Sequence, residues 1–93
     1  EPFGLSILEA LAAGLCVLIP EDNAYWDKHL EHGNNCWKYQ PNDPNDLYEQ
    51  LLVLLEQPAL IQKLAENGFV FAKQYSAHES YADIKYHIEK HLT

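Results

Sequence analysis

The feature that most constrains this chain is its opening stretch, EPFGLSILEALAAGLCVLIP, where apolar residues and glycine run almost unbroken from Phe3 to Ile19. Pro2 suits the first turn of a helix, apolar residues recur at helical spacing, and Gly14 is a natural stop, which predicts a helix over Phe3–Ala13. Leu15 to Ile19 then form a short apolar run closed by Pro20, as expected of a parallel strand covered on both faces. A helix, a glycine and a buried strand in succession indicate an α/β fold.

The rest of the chain continues that alternation. A polar loop, Glu21-Asp22-Asn23, leads into a helical segment over Ala24–His32 that ends at Gly33, and Cys36–Tyr39 reads as a second short strand. Asp43-Pro44 has the form of an N-cap followed by proline at the first helical position, with Leu47, Leu51, Leu54 and Leu55 as an apolar stripe up to Gln57. Pro58 starts another helix carrying Leu60, Leu64, Phe71 and Tyr75 on one face. Ser76-Ala77-His78-Glu79 matches a capping box, which predicts a separate last helix over Ala77–Leu92 with Tyr81, Ile84, Ile88 and Leu92 as its stripe. The expectation is two short parallel strands and about five helices.

So small a sheet is marginal alone. The chain of 93 residues also contains no methionine and opens inside a motif. We therefore expect one domain portion of a longer protein, with further strands upstream of Glu1. Fourteen acids against six lysines and no arginine give a net charge of −8, which excludes a non-specific nucleic-acid surface. The apolar run is shorter than the roughly 18 residues of a membrane span and lacks a basic flank, so a soluble, cytoplasmic protein is expected, with no direct membrane contact from this segment. Any attachment to the inner membrane face would come through regions outside it. Cys16 and Cys36 do not form a disulfide framework, and a reducing compartment fits them better than a bridge.

Glu9 is the one charge inside the apolar run. At about 100° per residue, Ser6, Leu5, Ala12 and Ala13 share its side of the helix, whereas Phe3, Ile7 and Leu11 lie opposite. One reading makes this a solvent stripe, with Glu1 favouring the positive end of the helix dipole. In the other, the small side chains admit a ligand close to the backbone. A carboxylate can accept from two neighbouring sugar hydroxyls, and the helix N-terminus with Gly4 suits a phosphate. Glu1 and Glu9 would then flank the two ends of a nucleotide diphosphate sugar.

The segment Glu1-Pro-Phe-Gly-Leu-Ser-Ile-Leu-Glu9 resembles the E-x7-E motif of retaining group 1 glycosyltransferases with the GT-B fold, followed by their E-A-L-A-A-G and buried strand. The likeness continues through Gly33-Asn34-Asn35, Pro41-Asn42-Asp43, Leu55 to Pro58 with Leu60, and Tyr75-Ser76, so it covers essentially the whole chain. It implies the C-terminal part of a Rossmann-like nucleotide-sugar-binding domain spanning residues 1–93, with an N-terminal acceptor domain elsewhere. It implies metal-independent, retaining transfer of a hexose-type unit from a nucleotide diphosphate sugar to a hydroxyl acceptor, as in polysaccharide or glycoconjugate synthesis.

By the same resemblance, Glu1 is the catalytic carboxylate and holds the transferred sugar, Phe3, Gly4 and Leu5 supply main-chain contacts, and Glu9 holds the ribose. The basic pair that neutralises the departing diphosphate in the family has no counterpart here, so this segment alone should lack transferase activity. The sequence also departs from the family at Ala24-Tyr25 and Lys28, where Gly-Gly and Glu are common, and at Cys36, where glycine is frequent. No role is carried onto these positions; Tyr25 and Trp26 are expected to pack in the core.

Other patterns carry less. His87 and His91 have a zinc-compatible spacing but no third ligand, so no metal site is expected. His29 and His32 flank a helix end and suit its dipole. Two further classes remain open: a non-catalytic helical protein-interaction module, in which Glu9 is solvated, and a GT-B nucleotide-sugar epimerase, which needs no acceptor.

Overall fold

The computed structural model describes the backbone of residues 5–92 and the side chains of residues 6–79. In chain order the elements are α1 (Leu5–Ala12), β1 (Leu18–Pro20), α2 (Tyr25–His29), β2 (Trp37–Tyr39), α3 (Pro44–Leu55) and α4 (Pro58–Leu92). The fold is the expected α/β arrangement. β1 and β2 run parallel, with Leu18, Ile19 and Pro20 opposite Trp37, Lys38 and Tyr39, and α2 makes the crossover between them.

Local chemistry accounts for most boundaries. At the end of α1 the Leu15 N–H donates to the Ala10 carbonyl and the Gly14 N–H to that of Leu11, the paired bonds of a Schellman motif. Gly14 closes it at φ +79°, where a side chain would be strained. α3 starts as the sequence predicts: Pro44 occupies the first turn and Asp43 Oδ1 accepts from the Asp46 N–H at 3.0 Å.

The core joins Leu11 of α1, Val17 and Ile19 around β1, Trp26 and Leu30 around α2, Cys36 before β2, and Ala72 of α4. Ile7, Leu8, Ala10, Tyr25, Phe71 and Tyr75 pack against it. Trp26 is buried, edge-on to Tyr25 and Phe71 and tilted against Tyr75, so the expected packing role of this pair holds. Gly68 lets α4 approach α1: a Cβ there would lie 2.7 Å from Leu11 Cδ2 and 3.3 Å from the Asn35 carbonyl oxygen.

Several expectations are corrected. The described residues hold four helices, not five, because α4 runs without a break through Ser76. Ser76 and Glu79 are exposed helical residues and cap nothing. No Gly or Pro follows Gly68, and extending an existing helix is easier than nucleating a new one. The stripe of Tyr81, Ile84, Ile88 and Leu92, and the pair His87 and His91, lie outside the described side chains.

β1 begins at Leu18 rather than Leu15, and Leu15 is 56% exposed. The chain needs the residues after Gly14 to turn back toward the sheet before pairing can start. α2 stops at His29 because Leu30 becomes extended (φ −106°, ψ 145°) and is drawn into the core. The stripe on α3 is mostly uncovered: Leu54 is buried, but Leu47, Leu51 and Leu55 are exposed. Cys16 and Cys36 are both free thiols, as expected, and burial pushes that of Cys36 up to about 11.

Candidate functional site

α1 presents two unlike sides. Leu11 is fully buried and Ile7, Leu8 and Ala10 lean on the core, whereas Ser6, Glu9, Ala12 and Ala13 are exposed. Among the described side chains of α1, Glu9 is the acidic group, and it stands on the face of small residues as its angular position requires. In this chain it faces solvent, so it bears no burial cost. Glu1, Phe3 and Gly4 lie outside the described residues. Leu5 opens α1, but its side chain also lies outside those described.

The topology orients this helix. Leu11, near the C-terminal end of α1, lies beside Gly68, which also approaches the carbonyl of Asn35 just before β2. That end of α1 therefore sits by the N-terminal edge of the strands. The reversal at Gly14 directs the helix N-terminus toward the C-terminal edge, where open α/β sheets hold their ligands.

The loops at that C-terminal edge are held by polar bonds that sequence spacing did not reveal. After β1, Asp22 Oδ1 accepts from the Ala24 N–H and Asp27 Oδ2 accepts from the Asn23 N–H at 2.6 Å, while Asn23 itself sits at φ 60°. Asp27 also forms an ion pair with Lys38 of β2 at 2.7 Å, and the same ammonium donates to the Asp27 carbonyl. The Lys38 hydrogen bond, helped by the Asn23 N–H, holds the Asp27 carboxyl below its ordinary range. After β2, Asp46 accepts from the Gln40 N–H at 2.6 Å and from Gln50, which lowers its pKa in the same way. A groove of about 350 Å³ opens there, lined by Tyr39, Asn42, Asp43, Pro44 and Leu47.

At the start of α2, the departures from the family pattern have assignable contacts. Tyr25 and Tyr75 share a hydrogen bond of 2.5 Å between their hydroxyls, which ties α2 to α4 and pushes Tyr75 up to about 12. The His29 ring stacks on Tyr25, and its Nδ1–H donates to the Tyr25 carbonyl. Lys28 is exposed. No signal in the sequence pairs Tyr25 with Tyr75 or Asp27 with Lys38, since each pair forms only when separate elements dock.

Among the described residues there is no group of three His, Cys, Asp or Glu side chains placed to hold a metal ion. No helix of the described residues is long and apolar enough to cross a membrane. The chain matches the glycosyl transferases group 1 family over residues 1–71. It is also 32% identical over 76 residues to an uncharacterized glycosyltransferase of Methanocaldococcus jannaschii, an alignment covering 82% of this chain. The chain spans 21% of the length of that relative.

Proposed function

Since the chain belongs to the group 1 glycosyltransferase family, we propose that it forms part of the donor-binding domain of a longer enzyme. That enzyme transfers a hexose-type sugar, with retention, from a nucleotide diphosphate sugar to a hydroxyl acceptor held by a separate N-terminal domain. Polysaccharide or glycoconjugate synthesis in the cytoplasm is the setting, and the transfer needs no metal. Glu1 is the catalytic carboxylate that holds the transferred sugar, the backbone of Phe3, Gly4 and Leu5 addresses the sugar and diphosphate, and Glu9 accepts hydrogen bonds from the ribose.

The observation that supports this reading best is the position of Glu9. It is an exposed carboxylate on a face of small side chains, on a helix whose other side is core. A carboxylate there meets a ligand without steric competition and has two acceptor oxygens for a diol. The dipole of α1 adds attraction for the diphosphate at its N-terminal end. Hydrogen bonds to a charged group contribute roughly 1.5–3 kcal/mol each. In the intact enzyme, Glu9→Ala should therefore raise the KM for the nucleotide sugar by about tenfold or more, with a smaller change in kcat. Unchanged donor kinetics would remove Glu9 from the ribose site.

A further inference from the structure

A second groove lies at the opposite edge of the sheet, where the chain enters β2 and passes α4. It has a volume of about 250 Å³ and is lined by Asn34, Asn35, Asn67, Val70, Phe71 and Gln74. None of these six side chains is ionised, four are carboxamides, and one is an aromatic ring. Such a lining is unusual for a surface dominated by acids.

The carboxamides are not all committed to the fold. Asn67 Nδ2 donates to the Asn34 carbonyl at 2.8 Å and to Asn34 Oδ1 at 3.3 Å, which fixes the loop against α4 and leaves Asn67 Oδ1 as an acceptor. Asn35 is the telling residue. It is only 9% exposed, and its Oδ1 accepts from the Glu31 N–H at 2.8 Å, so the orientation of its amide is set. Its Nδ2 has no hydrogen-bond partner among the described residues. No buried side-chain N or O among the described residues lacks a partner, so this donor is open to the groove, where water or a ligand meets it in a direction the Glu31 bond has set. Gln74, exposed on α4, adds a donor and an acceptor that no hydrogen bond among the described residues uses.

We propose that this groove binds one ring of a neutral saccharide. Each sugar hydroxyl both donates and accepts, matching carboxamides that do the same, and Val70 and the Phe71 ring, which line the groove, offer apolar surface for ring C–H groups. The absence of cations from the lining disfavours a phosphate or nucleotide. The groove sits at the N-terminal edge of the strands, away from the end toward which α1 points, so it is separate from the donor site and does not depend on the assignment of Glu9. Its place suits a glycan chain gripped apart from the reacting end.

The test uses the intact protein with asparagine and glutamine side chains labelled with ¹⁵N. The probes are the methyl glycosides of glucose, mannose, galactose and N-acetylglucosamine, with glucose 1-phosphate as the charged comparison. At least one neutral glycoside should shift the Asn35 side-chain amide. Its Kd should rise about tenfold in Gln74→Ala, the equivalent of one lost hydrogen bond. Val70→Trp, at a 51% exposed position on the rim, should abolish the shift, and Glu9→Ala should leave it unchanged. The proposal fails if no glycoside moves the Asn35 amide, if both groove variants bind like the wild type, or if glucose 1-phosphate binds more tightly than methyl glucoside. It also fails if Glu9→Ala removes the response, which would assign the binding to the donor site instead.

Discussion

α1 and α3 are both short, leucine-rich amphipathic helices, yet one is anchored and the other is largely bare. Leu11 on α1 is fully buried, whereas Leu47, Tyr48, Leu51, Leu52 and Leu55 on α3 are all exposed by 38% or more. The difference does not lie in their periodicity, which marks an apolar side equally well in each. It lies in what each helix meets. α1 is seated against α4 where Gly68 and Ala72 present little side-chain bulk, so leucine can reach bottom. α3 touches β2 and α4 but keeps only Leu54 in a buried position. An apolar stripe therefore reports a side that can be covered, and not that it is covered.

The largest effect that would break this contrast is Leu11→Ala, which should lower unfolding free energy by roughly 2–5 kcal/mol, read from the urea midpoint of the intact protein. A loss no greater than that at a surface leucine would show that α1 is not anchored as described. Next comes Gly68→Val, expected to destabilise by about 1–3 kcal/mol because the added atoms meet Leu11 and the Asn35 carbonyl. In a Leu11→Ala background the same substitution should cost less, since one of the two obstructing groups is gone.

The tie between α2 and α4 should respond to pH. The hydrogen bond with Tyr25 raises Tyr75 in the folded state to about 12. Its contribution is thus complete below the unfolded-state value near 10 and is lost as pH climbs from about 10 to about 12. Tyr75→Phe should remove roughly 1 kcal/mol at neutral pH and flatten that alkaline decline, as measured by urea melts at a series of pH values. The smallest effect belongs to α3, where Leu51→Ala should change stability by under about 0.5 kcal/mol. A loss of several kcal/mol in the intact protein would mean that other parts of the chain cover α3.

Of the candidate site, the position of Glu9 was legible in the sequence. The placement of Glu9 among Ser6, Ala12 and Ala13, opposite Ile7 and Leu11, follows from helical geometry and recurs in the structure. The stop at Gly14 and the cap at Asp43 were equally plain, because each depends on residues a few positions apart. The capping-box reading at Ser76 failed for the complementary reason. A local motif competes with a helix already under way, and with no breaker to stop it α4 continues.

The sequence by itself determined the alternation of helix and strand and which side of each helix is apolar, since short-range sterics, local hydrogen bonding and residue spacing set these, and its similarity to relatives carried the membership of the family. Only the tertiary structure decided which apolar sides are covered, that Asp27 meets Lys38 and Tyr25 meets Tyr75, and that Asn35 points an unanswered donor into a groove. Those outcomes join residues 11 to 50 positions apart, or depend on what the docking of α4 leaves open. No local pattern encodes how two surfaces will fit until both have been built and pressed together.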